Sequence, residues 1–519
     1  MTRKKPGRSI AILYAILFTG SLALYLLSAQ RGFSWQDSGE YQFRVLANDL
    51  RWCSGIARAH PLYIVMARGW MRLFPASAAA WAINSFSGVS LSIALLLLAD
   101  TVRRLTGQAR AGMVAAVTLA LAHMAWWMGS MAEVYTWSLA FLMAEVDLAV
   151  AFLHQPDARS SRATLLLTAL FAVNGLHASL HNFAFLNAAV WGCLLLAGFP
   201  RIPLRQIAVR AGLALTAWAV GAGALLALAV EVYRAGSSLP EVVKSLLFGV
   251  DLYRGLALGV TPPRLPLALF NYALAALSFI SPCFLFAFKG FRWVKPPFRW
   301  PLLALSAIHL LFWIRYFVAD QATFILPTLG LAALWAGCGA AALGRKGKSV
   351  VWVTLACGIL LDLCVPPILA QGLARHPKAV RRTRLLPGRE EWAYWLIPWK
   401  GNETSAQAFI GAVGGLLRPG DLLLADTTAA APLLAAREAG LLPTTWSLLS
   451  PLDDALPESA LAERLDQARV FVVSPVPGYA VLPELLSGRY TFKRTGPLYR
   501  VLKQTARDQT AEPPAARDK

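Results

Sequence analysis

The sequence predicts a polytopic α-helical membrane protein of about eleven transmembrane helices, followed by a small soluble α/β domain. Three observations predict it. Of the 519 residues, 57% are hydrophobic and only 15% charged, with a mean hydropathy of +0.52, whereas a soluble domain runs nearer ~25% charged. Apolar runs of span length recur as far as residue 370 and then shorten to strand length. The Lys and Arg behind the net charge of +21 fall in alternate short connectors, as cytoplasmic loops do. This composition excludes disorder, collagen and coiled coil, and the 18 tryptophans suit an aromatic belt at the lipid–water boundary. Six cysteines in so long a chain make no disulfide framework.

The spans are expected at 10–29, 81–99, 111–129, 134–153, 163–180, 182–199, 211–230, 266–288, 300–318, 322–343 and 349–370. Arg3, Lys4, Lys5 and Arg8 precede the first and put the N-terminus in the cytoplasm. The same side receives Arg103, Arg104 and Arg110; Arg159 and Arg162; Arg201, Arg205 and Arg210; Lys289, Arg292, Lys295 and Arg299; and Arg345, Lys346 and Lys348. The opposite connectors, near Glu133, Asn182 and Asp320, are not basic. The charge therefore reads as membrane orientation, with no nucleic-acid partner. The first span is read as an anchor, because Leu27 spoils a small-x-small cleavage site.

Residues 1–370 form the expected membrane domain, with two long outer segments, 30–80 and 231–265. Residues 371–504 form the extracytoplasmic α/β domain. It has strand-like runs at 421–426 and 469–474, a helical stretch at 429–439 and a terminal hairpin over 490–494 and 497–502. The basic cluster Arg375, Lys378, Arg381, Arg382 and Arg384 then lies on the outer side, where long translocated domains obey the charge rule only weakly. Residues 505–519 read as a disordered tail. The localisation expected is a multi-pass protein of the cell inner (plasma) membrane.

No P-loop, GxGxxG after a strand, HExxH or paired CxxC is present. The informative polar residues lie at outer span ends. Asp37 and Glu40 are three apart, so a helix puts both on one side. There they can deprotonate a hydroxyl or hold a divalent cation; equally, an Asp N-cap with Glu at N3 resembles a capping box. His60 can meet a phosphate or serve as a structural histidine, and Arg58, Arg68 and Arg72 can meet lipid phosphates. Glu133 sits in a tight connector, where solvation is the ordinary state. His177 and His181 share a helical face, but no third metal ligand is marked by sequence. Arg315, ahead of Tyr316 and Asp320, either snorkels or grips a phosphate with its planar fork. Within the spans, Glu145, Asp147 and Asp362 are costly unless paired or facing a cavity.

The order of motifs Asp37-Ser38-Gly39-Glu40, Ala59-His60-Pro61-Leu62-Tyr63, Ala132-Glu133-Val134-Tyr135, Gly175–His181 and Tyr316–Asp320 resembles one multi-spanning bacterial family. That family was long catalogued as a domain of unknown function. It looks like a branch of the GT-C glycosyltransferases related to protein O-mannosyltransferases. The resemblance covers most of the chain and is strongest over 30–185. It implies a transferase, most simply an inverting one, that moves sugar from a polyprenyl-phosphate donor to a hydroxyl of a protein, glycan or lipid on the outer face of the bilayer. By the same match Asp37 is the catalytic acid residue with Glu40 beside it, and His60, Glu133 and His181 fall at motif positions. Arg58, Arg315, Tyr316 and Asp320 complete the expected substrate contacts. No cofactor is implied beyond a divalent cation, which the carboxylates leave room for. The chain departs from the family where the histidine–proline stretch is shortened and where Leu180 precedes His181 in place of Asn. The rival from another class is a transporter or flippase of a lipid-linked glycan, which calls for charges near the midplane.

Overall fold

The chain is described by a computed structural model over residues 8–51, 55–196, 203–249, 265–344, 346–375, 386–450, 463–465, 467–476 and 490–503. The tail 505–519 and the basic positions Lys378, Arg381, Arg382 and Arg384 lie outside these residues. The chain divides into two compact units, one of Met1–Arg31, Asn48–His376 and Trp392–Asn402, the other of Gly32–Ala47, Pro377–Glu391 and Glu403–Lys519.

In chain order the helices are α1 (Arg8–Ser28), α2 (Gln36–Ala47), α3 (Pro61–Met71), α4 (Ala79–Thr106), α5 (Ala109–Leu121) and α6 (His123–Gly129). Next come α7 (Val134–Leu153), α8 (Ser161–Leu180), α9 (Phe183–Leu195), α10 (Leu204–Gly221), α11 (Gly223–Arg234) and α12 (Leu239–Phe248). After these come α13 (Leu265–Leu277), α14 (Ala287–Trp293), α15 (Pro296–Arg315), α16 (Leu326–Ala342) and α17 (Lys348–Ala374). Then come α18 (Glu391–Leu396), α19 (Ser405–Leu416) and α20 (Thr427–Glu438), with strands β1 (Leu422–Leu424), β2 (Ser447–Leu449), β3 (Val470–Val472), β4 (Tyr490–Thr495) and β5 (Leu498–Lys503).

Among the described residues seven helices are long and apolar enough to cross a membrane, and ten if each bent pair is one span. The bent pairs are α5 with α6 at 70°, α10 with α11 at 74°, and α13 with the Pro282–Trp293 segment at 82°. They fall on the expected spans 111–129, 211–230 and 266–288. The expected span 182–199 contains α9, whose 13 described residues fall short of a crossing.

Side-chain contacts fix how the spans run. Asp100 accepts from Arg103 Nε at 2.8 Å and Arg104 Nε at 2.6 Å, while Tyr14 donates to it at 3.1 Å. Arg104 also pairs with Asp147 at 2.8 Å. The start of α1 therefore meets the ends of α4 and α7. At the other end, Asn84 Nδ2 donates to Gln30 O at 2.9 Å, and Gln30 N donates to Ser130 O at 2.9 Å. Helices α8 and α10 cross backbone to backbone. A Cβ on Gly175 would lie 2.2 Å from Trp218 O, and one on Gly221 2.3 Å from Ala172 O, so only glycine allows this approach.

Polar groups inside this unit are matched to one another. Glu145 of α7 is fully buried and accepts from His177 Nδ1 at 2.7 Å, Asn174 Nδ2 at 3.2 Å, Asn187 Nδ2 at 2.9 Å and Trp191 Nε1 at 2.7 Å. Ser138 Oγ lies 2.7 Å from His177 Nε2, and His309 Nε2 donates to Asn187 Oδ1 at 2.7 Å. The cluster ties α7, α8, α9 and α15 together.

The second unit carries a five-stranded sheet of order β2-β1-β3-β5-β4. Its first three strands are parallel, with Leu422 opposite Ser447 and Val470; β5 joins β3 antiparallel and turns back to β4 as a hairpin. Leu422, Leu424, Val470, Val472 and Val501 form its core. Asp426 caps α20, accepting from Ala429 N at 3.1 Å, and Asp421 holds Arg469 through Nε at 2.8 Å. The strands, the helix and the hairpin fall where the sequence pattern put them. The segment Gly32–Ala47, expected within the membrane domain, groups instead with this sheet.

Removing the hub of the buried cluster strands four donors. Glu145→Ala should cost about 3 kcal/mol or more of stability, read as a lowered unfolding midpoint in detergent. Glu145→Gln, which still accepts, should retain most of it.

Candidate active site

The carboxylates of the Asp-Ser-Gly-Glu motif ride on α2. Gly39 N donates to Trp35 O at 3.3 Å, so the helix opens before Asp37 and both acids lie inside it on one face. The capping-box alternative, with Asp37 at the N-cap, is therefore not the geometry found. Asp37 is half-buried and Glu40 only 7% exposed. The fully buried guanidinium of Arg44, one turn on, lies 3.8 Å from Glu40 Oε1.

The sequence holds α2 by several contacts within its own unit. Gln42 Oε1 accepts from Ser34 N at 2.8 Å, and its Nε2 donates to Gly32 O at 3.3 Å, closing the loop ahead of the helix. Trp35 Nε1 donates to Ser405 Oγ at 2.7 Å, and its ring lies 5.1 Å from that of Phe409 on α19. At Gly39 a Cβ would lie 2.1 Å from Ser34 O and 3.2 Å from the Ala431 Cβ of α20. The glycine of the motif is thus required by packing.

The histidines belong to the other unit. His60 precedes Pro61 with φ 45°, a left-handed conformation that turns its ring away from the axis of α3. Its Nδ1 donates to Leu180 O at 2.8 Å. His181 follows α8 in extended conformation, φ −157° and ψ 141°, and its Nδ1 accepts from Phe183 N at 3.1 Å. The two rings stack 5.2 Å apart at 6°. Burial, followed by the charges available on His60, His177 and His309, holds His181 well below the ordinary histidine value. It is therefore neutral at physiological pH, with Nδ1 accepting and the proton on Nε2. The two rings, with Asn182, Ile56, Phe185 and Leu246 among their neighbours, line a small pocket of mixed polarity.

The shared helical face expected for His177 and His181 does not persist. The helix ends at Leu180, so His177 turns inward to Glu145 while His181 turns to His60. Among the described residues no group of three or more His, Cys, Asp or Glu is placed to hold a metal ion.

Glu133 also departs from expectation. It is 5% exposed, because its connector is strapped to α4: Glu133 N donates to Ser87 Oγ at 2.9 Å and Ala132 N to Asn84 Oδ1 at 3.0 Å. It occupies the N-cap position of α7 in extended backbone without a capping hydrogen bond from its carboxylate. Arg58 ends the 3-10 turn Ile56–Arg58 and is half-buried; Arg315 ends α15 and is exposed; Asp320 precedes the 3-10 turn Gln321–Ile325.

A run of rings joins several of these motifs. Tyr316 lies 4.9 Å from Phe324, Phe324 5.0 Å from Tyr135, and Tyr135 5.3 Å from His181. Tyr135 and Phe324 were given no role by the sequence reading. The only signal available was an aromatic residue beside each polar motif. Asp37 and Glu40 belong to one compact unit, and His60, Arg58, Glu133, His181, Arg315, Tyr316 and Asp320 to the other.

No protein-family profile matches the chain. Over 150 residues it is 29% identical to the protein O-mannosyl-transferase TMEM260 of Mus musculus, a stretch that is 28% of this chain and 20% of that protein. The fold is that of ArnT from Cupriavidus metallidurans. The crystal structure bound to undecaprenyl phosphate matches with a TM-score of 0.62 at 12% identity, over 96% of this chain and 98% of that one. The apo structure matches with 0.61 at 13% identity, over 95% and 98%. This is the GT-C membrane architecture implied by the motif order.

Two outcomes follow from the geometry. Gly39→Ala should cost about 1–3 kcal/mol by overpacking and shift α2; a melting curve equal to the parent's contradicts the packing requirement. For His181, the folded value lies below the unfolded one, so its contribution to stability is present above the ordinary pKa of about 6.5 and declines as pH falls below it. Melting midpoints of parent and His181→Gln should therefore draw together between neutral and acid pH, and parallel curves contradict a neutral buried His181.

Proposed function

We propose that the protein is a membrane glycosyltransferase that moves a sugar from a polyprenyl-phosphate donor to a hydroxyl on the outer face of the membrane. The observation that carries this reading is the ArnT fold along nearly the whole chain, with the buried His60–His181 stack beside a small pocket. The Nε2–H that His181 carries, its Nδ1 being occupied by Phe183 N, is a donor suited to a phosphate at the head of a hydrocarbon ligand. The undecaprenyl phosphate named for the ArnT structure has that chemistry. The O-mannosyl-transferase relative, though matched over a short stretch, supports sugar transfer to a hydroxyl.

The chemistry assigns roles residue by residue. Asp37 takes the proton of the acceptor hydroxyl as its oxygen attacks the anomeric carbon. The bond from that carbon to the phosphate oxygen breaks, and the polyprenyl phosphate leaves with the electron pair, inverting the centre. Glu40 orients the acceptor and is itself set by Arg44. Arg58 and Arg315 offset the phosphate charge, His181 donates to it from Nε2, and His60, Glu133, Tyr316 and Asp320 line the substrate. A protein, glycan or lipid supplies the hydroxyl. A divalent cation at the carboxylates is compatible with these roles but not needed by them.

The proposed topology is N-terminus cytoplasmic, inner membrane, and residues 371–504 extracytoplasmic with α2 packed on their α20. Lipid-linked glycan transport is the weaker reading. Glu145, the most buried acid within the spans, has its oxygens occupied by four donors and offers no site along a path. Asp362, with Oδ1 lacking a hydrogen-bond partner among the described residues, is a single group.

The test is Asp37→Asn, which keeps size and helix-end propensity but removes the base. It should insert and bind a polyprenyl-phosphate sugar like the parent, yet transfer at least roughly a hundredfold more slowly. Turnover within about threefold of the parent, far inside the range of general-base effects, contradicts the assignment.

A further inference from the structure

We infer that α12 is an in-plane membrane helix whose outer stripe, Leu239, Val243 and Leu247, lies against the lipid acyl chains at the bilayer surface. The helix is too short to cross: Leu239–Phe248 is ten residues, with Pro240 in its first turn. Its start is fixed by a reciprocal capping box in which Ser238 N donates to Glu241 Oε2 at 2.7 Å. The helix is therefore a built element at a defined place, not an extension of a span.

Its faces divide three ways. Val242 is buried, and Leu246 beside it lines the small pocket together with His60 and His181. Ser245 Oγ accepts from Ile56 N at 3.0 Å, and Asn182 Nδ2 donates to Leu247 O at 3.3 Å, so the helix is docked on the protein along this side. Next to that side run Leu239, Val243 and Leu247, four residues apart and therefore in one row, at 64%, 48% and 39% exposure. By helical spacing Glu241 lies across the helix from Val243, and Lys244 flanks the row on the side of Leu247. An apolar row that the protein leaves uncovered, between a docked row and a charged one, is the pattern of an interfacial helix.

The bilayer is the occupant because the chain delivers the helix to it. α11, which continues the apolar run of α10 across a 74° bend, ends at Arg234, and only Ala235–Ser238 separate it from α12. Four extended residues reach at most about 14 Å, so α12 stays near the level where the span leaves the membrane. Tyr233, 57% exposed beside that end, is the kind of side chain that sits at the headgroup level. The inference requires only that the chain spans a membrane; it does not depend on the donor, the acceptor or Asp37.

The test uses the full chain in liposomes, with its six cysteines replaced and a nitroxide attached at single cysteines introduced by Leu239→Cys, Val243→Cys, Leu247→Cys, Glu241→Cys and Lys244→Cys. Collisions with dissolved oxygen should exceed those with a water-soluble nickel chelate several-fold at 239, 243 and 247, at a depth of about 5–10 Å. The ratio should reverse at 241 and 244. A chelate-accessible row at 239, 243 and 247 overturns the proposal, and so does spin–spin broadening there, which makes the stripe a contact between copies. The same cysteines, probed with a membrane-impermeant maleimide on unlabelled protein, give an independent reading: slow reaction at the stripe and fast reaction at 241 and 244. Equal rates overturn it even where a nitroxide perturbs the helix.

Discussion

The interaction on which the membrane unit depends is the four-donor grip on Glu145. In a hydrocarbon surrounding no water rescues an unmatched polar group, so polar side chains in spans must satisfy one another. Here one carboxylate of α7 gathers an imidazole, two amides and an indole from two helices, and a second imidazole reaches the cluster from a further one. The consequence reaches the candidate site. His177 is locked at the end of α8, and the backbone leaves the helix at Leu180, which turns His181 onto the ring of His60.

The second unit answers to a different constraint. Its sheet is half parallel, and α20 lies on it, capped by Asp426 as the chain leaves β1. Helix α2, far away in sequence, lies against α20 at a separation that Gly39 permits, while Trp35, bonded to Ser405 of α19, and Gln42 set its entry. The motif carboxylates therefore inherit their position from the α/β fold. Half of an Asp-Ser-Gly-Glu motif that reads as chemistry is packing: Ser38 and Gly39 are buried where α2 meets its neighbours, while Asp37 is the residue left half-buried.

Electrostatics separates two kinds of charged group in the chain. Asp100, Arg103, Arg104, Asp147 and Tyr14 form one satisfied set at the ends of α1, α4 and α7, a structural use of charge. His181 is held neutral by burial, which leaves its Nε2–H as a hydrogen-bond donor without adding a buried charge.

The sequence by itself determined what depends on local pattern. Apolar length marked the membrane-crossing helices, α9 apart, and short apolar runs with turn residues marked the strands and hairpin. The motif order pointed to the GT-C fold that the likeness to ArnT displays. It misjudged the solvent state of Glu133, because burial of a connector depends on Asn84 and Ser87 of another helix. It paired His177 with His181 by helical spacing, because where α8 ends is decided by the fold around it. It passed over Tyr135 and Phe324, whose meeting joins residues nearly two hundred positions apart. It also assigned Gly32–Ala47 to the membrane domain. Only tertiary structure decided these points, because side-chain burial, ring contacts and the partner of an amphipathic helix are set by groups distant in sequence, and no local period encodes them.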